Sequence, residues 1–375
     1  MIQGHGDDTW RYTDIRINFS SNIYAHADLS ELQAHLCRNI SLIGHYPEPE
    51  PHALEAMLAR KHGIPADCVL VTSGATEAIY LIAQTFCQAL HYYSTGSLPT
   101  FSEYADASEM FGMQRQDTAL SPQIRFQVSG FRFQGARSLS PQPSAFSLQP
   151  SALSLQPSAP DRDTLLWLCN PNNPTGRTLP PADILNLCGK AAITVIDQSY
   201  EDYTLVPMLS AREAAQKPHL ILVHSLTKTY AIPGLRIGYI TAAPELIRLL
   251  RHHVRPWSVN ALAVAAAKWL VTHDTRAIPH LNVYLAETAR LRQQLNALPG
   301  IHVTNTDTNF MLATIAQTTA AALKDFLAVH HHILIRNASN FKGLTPNHFR
   351  IATQRRDENR LLVSAISQFI ENFQR

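Results

Sequence analysis

Short apolar runs alternate with segments of helical periodicity through the first two thirds of the chain. Four runs rich in Val, Ile and Leu predict buried strands at residues 69–72, 165–169, 194–197 and 220–225. After the first run, apolar residues recur at helical spacing from Ala78 to Phe86. Strands that alternate with helices are typical of an α/β protein with a mainly parallel sheet.

The last third of the chain has a different order of elements and predicts a smaller α+β unit. Its predicted helices are residues 245–253, 259–272, 283–298 and 358–373. Its predicted strands are residues 309–313, 333–336 and 348–351. We therefore expect a large domain at residues 43–250 and a small domain formed by residues 1–42 and 251–375.

A segment rich in Pro, Ser and Gln interrupts the large domain at about residues 138–160. It contains SPQPSA at 140–145 and SLQPSA at both 147–152 and 154–159. The prolines exclude a continuous helix, and so few units are too short for a solenoid. We interpret the segment as a surface insertion, with a proline-rich ligand for a partner domain as the less favoured alternative.

Composition and charge narrow the class of protein. The 375 residues are 45% hydrophobic and carry a net charge of +2, which is typical of a globular chain and not of a general nucleic-acid binder. No apolar window is long enough for a membrane span, and residues 1–8 lack the pattern of a signal peptide. Five cysteines without a CxxC motif fit a reducing cytoplasm. We expect no metal site, since adjacent residues such as His330–His332 cannot all face one ion.

Small and polar residues follow each predicted strand of the large domain, where open α/β sheets bind their ligands. Gly74, Ala75 and Thr76 begin a helix whose backbone N–H groups could bind an anion. Asp197 ends an apolar strand, where a carboxylate is costly unless it is paired or hydrogen-bonded. Lys228, with a second cation nearby, could have a lowered pKa and form a Schiff base.

Each of these residues alone also fits an ordinary turn, a helix start or a protein surface. Their order and spacing together indicate a site, which comprises Gly74, Asn170, Asp197, Tyr200, Lys228 and Arg236. This series closely resembles the fold-type I enzymes that depend on pyridoxal phosphate, the aspartate aminotransferase superfamily. The resemblance covers almost the whole chain except about residues 129–160. It implies the superfamily's α/β fold, with a mainly parallel sheet in a large domain and a smaller α+β domain.

The resemblance also implies roles for the site residues. Lys228 would hold pyridoxal 5′-phosphate covalently, and Asp197 would keep the pyridine nitrogen protonated. Asn170 and Tyr200 would hydrogen-bond the phenolic oxygen of the cofactor, and Tyr104 would stack on its ring unless it is only a core aromatic. The residues implied for the cofactor phosphate are Gly74, Ala75, Thr76, Ser225 and Arg236.

The same resemblance implies a homodimer with shared active sites. Tyr46, in the stretch Tyr46-Pro47-Glu48-Pro49, resembles the residue that such enzymes send to the cofactor phosphate of the neighbouring subunit.

Within the superfamily, several stretches resemble the threonine-phosphate decarboxylases of cobalamin synthesis more than the histidinol-phosphate aminotransferases. They are residues 17–23, 74–83, 101–104, 225–236, 256–260, 333–344 and 349–352. Three positions depart from the family pattern: Asp7-Asp8 after His5-Gly6, the stretch from Tyr24 to Ala27, and Gln198 after the pyridine-binding aspartate. The first two lie near the substrate side, so they bear on substrate identity more than on cofactor binding.

Arginine suits bidentate binding of carboxylate or phosphate, so Arg350 and Arg336 are the candidate substrate-binding residues. By resemblance, Arg350 would bind the α-carboxylate and Arg336 would lie near the substrate phosphate, while His5 and Asn22 would help to close the site. A surface ion pair is the alternative for Arg336, and a terminal residue without a role is the alternative for His5.

The leading hypothesis is decarboxylation of L-threonine O-3-phosphate to 1-aminopropan-2-ol phosphate and CO2, by a cytoplasmic enzyme with a small phosphorylated amino acid as its partner. The alternative is an aminotransferase that acts on histidinol phosphate or a related amino acid. A non-catalytic, cofactor-binding module is a third hypothesis, which we favour least.

Overall fold

The computed structural model describes residues 7–116, 161–273, 277–278, 280–316 and 318–374. The Pro/Ser/Gln-rich segment predicted as an insertion lies outside the described residues. The described strands are β1 Ile17–Asn18, β2 Val69–Thr72, β3 Tyr92–Thr95, β4 Gln114–Arg115, β5 Asp161–Cys169, β6 Ala191–Asp197, β7 Leu220–His224, β8 Gly238–Ala242, β9 Ile301–Val303, β10 Phe310–Ile315, β11 Ile333–Leu334, β12 Arg336–Asn337 and β13 His348–Ala352.

The described α-helices are α1 Ser30–Arg38, α2 His52–His62, α3 Ala75–Phe86, α4 Glu103–Met110, α5 Pro181–Cys188, α6 Ala211–Ala215, α7 Leu226–Thr229, α8 Pro244–Arg251, α9 Ala261–His273, α10 Leu281–Asn296, α11 Ala320–His331 and α12 Arg356–Gln374.

The large sheet has the strand order β2-β8-β7-β6-β5-β3-β4. Strands β4, β3, β5, β6 and β7 pair in parallel, and β8 runs antiparallel to both β7 and β2. Helices α3, α4 and α8 cover one face of this sheet, and α5 and α6 cover the other. Because both faces are buried, the central strands consist of unbroken apolar runs. The predicted α/β fold with a mainly parallel sheet is confirmed.

This topology places the site loops together. The carboxyl ends of parallel strands lie at one edge of a sheet, so the loops after β2, β5, β6 and β7 meet there. The register aligns Cys169 with Asp197, and Asp197 with Val223. The first residues of helix α7 therefore lie beside the end of β6. The start of α3 lies at Gly238, the first residue of β8, where a Cβ would be 3.0 Å from the Ala75 nitrogen and 2.7 Å from the His224 carbonyl.

The smaller unit is built on an antiparallel sheet with the order β12-β13-β10-β9, against which α10, α11 and α12 pack. The strand predicted at residues 333–336 is divided here. Ile333–Leu334 pair with β1 in a separate two-stranded sheet, whereas Arg336–Asn337 pair with β13. The chain passes from one sheet to the other at Ile335, so one apolar run supplies two short strands.

Helix α9 packs away from the small sheet. Its residues Ala263, Ala267 and Leu270 share an apolar cluster with Val69 and Val71 of β2. A helix that we assigned to the small domain therefore lies against the large sheet. The domain boundaries at residues 43 and 250 stay predictions.

Candidate active site

Lys228 lies on the short helix α7, directly after strand β7. Its Nζ is 5.8 Å from the centre of the Tyr200 ring. Burial, followed by the charges of Arg350 and Arg236, lowers the pKa of Lys228 to about 8. The lysine is therefore much more readily deprotonated near neutral pH than an ordinary lysine, and the neutral amine is the nucleophilic form.

Asp197 ends β6 with a buried carboxylate, as its apolar strand predicts. Oδ2 accepts a hydrogen bond of 2.8 Å from the Tyr104 hydroxyl, and Oδ1 accepts one of 2.9 Å from the Ser199 backbone N–H. Burial nevertheless raises the pKa of Asp197. Among the described residues, the Tyr104 hydroxyl and the Ser199 N–H that bond this carboxylate are both neutral donors, so a cationic ligand atom nearby would stabilise its ionised form.

The Tyr104 ring is packed in the core. It is 0% exposed and stacks on Trp167, with ring centres 5.4 Å apart and planes 12° from parallel. Trp167 therefore covers one face of the Tyr104 ring, and its hydroxyl is bonded to Asp197, so the structure does not favour the predicted stacking of Tyr104 on a cofactor. Phe101, three residues earlier, is only partly buried. Its ring packs edge-on against the Tyr104 ring, with ring centres 5.7 Å apart.

The start of helix α3 and Arg236 form a cradle for an anion. Gly74 has φ +88°, and a Cβ at this position would lie 2.9 Å from Nη2 of Arg236. Ala75 and Thr76 are partly exposed at the helix start, where backbone N–H groups are free of intrahelical partners. Ser225 is buried at the residue that precedes α7. The structure thus places Gly74, at the start of α3, against Arg236, and the binding of a phosphate by these residues and Ser225 stays a prediction.

Arg350 lies on β13 and is buried, and it joins the two units. Nη1 donates a hydrogen bond of 2.5 Å to Oδ1 of Asn173, and Nη2 donates one of 2.7 Å to the Ser20 carbonyl. Within the described part of the chain its Nε has no hydrogen-bond partner. Burial lowers the pKa of Arg350 to about 10. A buried cation with an unbonded donor is a candidate binding group for an anionic ligand.

Arg336 lies directly opposite Arg350 in the register of β12 and β13. Opposed residues of an antiparallel pair project from the same face of a sheet. Nη2 of Arg336 donates a hydrogen bond of 2.9 Å to Oδ1 of Asn340. Burial, followed by the charge of Arg350, lowers the pKa of Arg336 to about 9. The two buried arginines lie on one face of the sheet, and a surface position does not describe Arg336, which is 6% exposed.

Tyr200 and Asn22 complete the wall beside Lys228. The Asn22 amide donates to the Tyr200 hydroxyl at 3.3 Å, and its own Oδ1 is buried without a partner among the described residues. Burial raises the pKa of Tyr200 to about 12, against the effect of Arg350. Tyr200 therefore keeps its proton and can donate a hydrogen bond to an anionic oxygen.

The structure does not support the predicted role of Asn170 in binding the cofactor. Its amide donates to the Leu179 carbonyl at 3.2 Å, and its Oδ1 accepts from the Leu179 backbone N–H at 2.7 Å. This side chain closes the loop that follows β5 and is not directed at a ligand. Asn173, three residues later in the same loop, contacts Arg350 instead. We missed Asn173 because Asn170, Asn172 and Asn173 all fit the same turn composition.

Two further predicted residues lie outside this group. Tyr46 is 85% exposed, and its ring packs against Trp257 at 5.3 Å. Within a single chain it is not part of the site. His5 is outside the described residues. Nearby, Asp8 accepts a hydrogen bond of 2.5 Å from the buried Lys324, which anchors the start of the described chain to helix α11.

The site fits pyridoxal phosphate by its donor set. A lysine with a lowered pKa can bind an aldehyde, and a buried carboxylate can bind a protonated ring nitrogen. The cradle of Gly74 and Arg236 has a glycine at φ +88° and offers a cation to a phosphate. The amide of Asn173 and the hydroxyl of Tyr200 can donate to a ring oxygen.

The fold and this site define an aspartate-aminotransferase-like enzyme of fold type I. The chain belongs to the aminotransferase class I and II family, whose model matches residues 14–366. It is therefore an enzyme, and the hypothesis of a non-catalytic module is set aside. No helix within the described ranges has both the length and the apolar character that a membrane span requires.

Among its relatives is the threonine-phosphate decarboxylase of Salmonella typhimurium, which is 29% identical and aligns over 94% of this chain and 91% of its own length. A histidinol-phosphate aminotransferase of Caldanaerobacter subterraneus is 27% identical over 87% of this chain and 84% of its own length. The crystal structure of L-threonine-O-3-phosphate decarboxylase from Porphyromonas gingivalis superimposes with a TM-score of 0.80 and 33% identity, over 95% of this chain and all of that chain. The predicted resemblance is confirmed.

Proposed function

We propose that this enzyme uses pyridoxal 5′-phosphate to decarboxylate L-threonine O-3-phosphate, giving 1-aminopropan-2-ol phosphate and CO2. Lys228 would bind the cofactor covalently, Asp197 would bind its ring nitrogen, and Gly74, Arg236 and the start of α3 would bind its phosphate. Asn173 and Tyr200 would bind the ring oxygen. Phe101 replaces Tyr104 as the candidate for stacking on the ring, because it is only partly buried.

The observation that carries this proposal is the pair of buried arginines on β12 and β13. The two guanidinium groups lie on one face of the sheet, and burial lowers the pKa of both. A substrate with both a carboxylate and a phosphate carries one anionic group for each guanidinium. Arg350, with its unbonded Nε, would bind the carboxylate, and Arg336 would face the phosphate.

When bound, pyridoxal phosphate accepts the electron pair left when a bond at the substrate Cα breaks. Asp197 favours this by holding a positive charge at the ring nitrogen. In the proposed reaction the bond from Cα to the carboxylate breaks, CO2 leaves, and Cα takes a proton. Lys228, with a pKa of about 8, can carry that proton on Nζ and deliver it to Cα.

The test is CO2 release from L-threonine O-3-phosphate by cofactor-loaded protein without any oxo acid. We expect catalytic release by the wild type and its loss in Lys228→Ala. The matched control is Lys190→Ala, since Lys190 is exposed on the surface. No release by a wild type that binds the cofactor would refute the proposed reaction, and turnover by Lys228→Ala would refute the assigned site.

Transamination of histidinol phosphate or a related amino acid is the second candidate, supported by the similarity to a histidinol-phosphate aminotransferase. The same residues serve it, except that Lys228 would remove the proton from Cα. It predicts that an amino donor alone converts the bound cofactor to its amine form, which absorbance detects. Decarboxylation without that conversion would remove this candidate.

We also propose a homodimer in which Tyr46 enters the partner's site. Tyr46 and Trp257 form an exposed aromatic pair, and Ile43, three residues before Tyr46, is 70% exposed. Exposed apolar groups of this size are typical of an interface. A dimer of one Lys228→Ala chain and one Tyr46→Ala chain contains one intact site. Mixing the two variants should therefore restore activity to about a quarter of the wild-type level, whereas unshared sites would give no gain. The cytoplasmic location stays a prediction.

A further inference from the structure

Loops from the large and small sheets are fastened to each other at Asp307. The Asp307 Oδ2 atom accepts hydrogen bonds from the Thr178 backbone N–H at 2.9 Å and from its hydroxyl at 3.1 Å. The Asp307 backbone N–H donates to the Gly176 carbonyl at 2.9 Å. Arg177 adds an ion pair of 3.4 Å to Oδ1. We name this contact the Asp307 clasp.

The clasp has little room for adjustment at Gly176. A Cβ there would lie 2.1 Å from the Thr306 hydroxyl oxygen and 2.4 Å from the Phe310 carbonyl. Gly176 also has φ +71°, which favours glycine. The two loops therefore touch through backbone, so a shift of residues 304–310 must move residues 172–178.

The loop between the clasp and the site is held by its own hydrogen bonds. Gly176 N–H donates to the Asn172 carbonyl at 2.7 Å, and Asn172 N–H donates to the Arg177 carbonyl at 2.8 Å. The Asn172 side chain donates to the Thr175 hydroxyl at 2.8 Å. Asn173 follows directly, and its Oδ1 accepts from Arg350. These hydrogen bonds close the loop, so the loop connects the Asp307 clasp rigidly to Arg350.

We propose that Asp307 is a positioning residue that holds Asn173 against Arg350 and so fixes the guanidinium that binds the substrate carboxylate. Arg350 is anchored by Asn173 on one side and by Ser20 on the other, with Nε left for a ligand. Without the clasp, Asn173 moves away and Arg350 loses its alignment. The inference rests on the proposed function only in assigning the carboxylate to Arg350.

The test compares Asp307→Ala with Asp307→Asn, whose amide oxygen can still accept from Thr178. Amino-acid binding is followed by the absorbance of the bound cofactor, with L-threonine O-3-phosphate and L-threonine as the two probes. We expect Asp307→Ala to raise both apparent dissociation constants by about ten-fold, the effect of weakening one charge-assisted hydrogen bond. Asp307→Asn should stay within about three-fold of the wild type. Because Asn173 would also donate to the ring oxygen of the cofactor, Asp307→Ala should weaken cofactor binding as well, so both titrations use enzyme saturated with the cofactor.

Arg177→Met is the matched control, because it removes the partly exposed ion pair but leaves the bonds to Thr178. It should bind both probes as the wild type does. Asp307→Ala should add no further loss in an Asn173→Ala background, since the clasp acts through Asn173. Additive losses in the double variant, or a loss confined to the phosphorylated probe, would overturn the inference.

A second measurement separates this inference from the proposed function. If neither amino acid binds the wild type, the proposed substrate is wrong. Hydrogen exchange of the unliganded holoenzyme then tests whether the Asp307 clasp holds residues 172–178 in place. Asp307→Ala should then speed amide exchange in peptides that cover Asn172 and Gly176, and Arg177→Met should not. Unchanged exchange in Asp307→Ala would overturn the clasp.

Discussion

Replacing Lys228 by methionine should stabilise the apoprotein, by an amount that depends on pH. Methionine has a similar length but no charge, and the hydrogen bond that the Tyr203 hydroxyl donates to the carbonyl of residue 228 is retained. At pH 7 both the folded and the unfolded wild type carry the protonated lysine, and only the folded state buries that charge. The difference between the ordinary pKa of 10.5 and about 8 corresponds to about 3 kcal/mol.

The sign of the pH dependence follows from the lowered pKa. Between about pH 8 and pH 10.5 the folded wild type has released the Lys228 proton, whereas the unfolded chain still holds it. Raising the pH through this window therefore stabilises the folded wild type. The advantage of Lys228→Met should be largest below pH 8, about 3 kcal/mol at most, and should vanish above pH 10.5.

The assay is denaturant unfolding of the apoproteins at several pH values, with the difference between variant and wild type as the readout. Tyrosines and cysteines that titrate in the same range cancel in that difference. Lys190→Met, at an exposed lysine, controls for the loss of one surface charge and should give only a small difference. A Lys228→Met difference that is constant from pH 7 to pH 11, or a less stable variant at pH 7, would refute the buried-charge argument.

Three smaller changes test other contacts. Gly74→Ala places a Cβ 2.9 Å from Nη2 of Arg236 at φ +88°, so we expect a loss of roughly 1–3 kcal/mol in stability and weaker cofactor binding in an absorbance titration. Glu55→Ala removes a buried carboxylate that accepts a hydrogen bond of 2.7 Å from Arg251. It should lower the free energy of unfolding by about 3 kcal/mol, measured with denaturant. Thr319→Ala removes the side-chain N-cap of α11 and should cost about 1 kcal/mol in the same measurement. A loss of less than about 0.5 kcal/mol would contradict either of the last two assignments.

The large sheet was predictable because its central strands are buried on both faces. Burial requires apolar residues at consecutive positions, and such runs mark β2, β6 and β7 in the sequence. The two-residue strands β1, β11 and β12 are too short to show a period of two. Their pairing depends on tertiary contacts, so the sequence indicates one strand where the chain changes sheets.

The sequence predicts the loop on which each site residue lies. It does not predict which groups the side chain of that residue contacts. The ends of β6 and β7 determine where Asp197 and Lys228 lie, because parallel strands terminate at one sheet edge. Which amide of a loop faces a ligand depends on contacts far along the chain. Asn170 is bonded nine residues ahead to Leu179, while Asn173 is bonded to Arg350, 177 residues away.

Tyr104 is a second residue whose side-chain partners could not be predicted from the sequence. An aromatic residue in the first turn of a helix fits both a core position and a ligand-stacking position, and the sequence does not distinguish them. The choice is made by Trp167, which covers the ring, and by Asp197, which accepts from the hydroxyl. Tyr104 thereby serves the site through the carboxylate and not through its ring. A residue selected for one contact with a cofactor can thus belong to the support of another group, and only the positions of its neighbours show which.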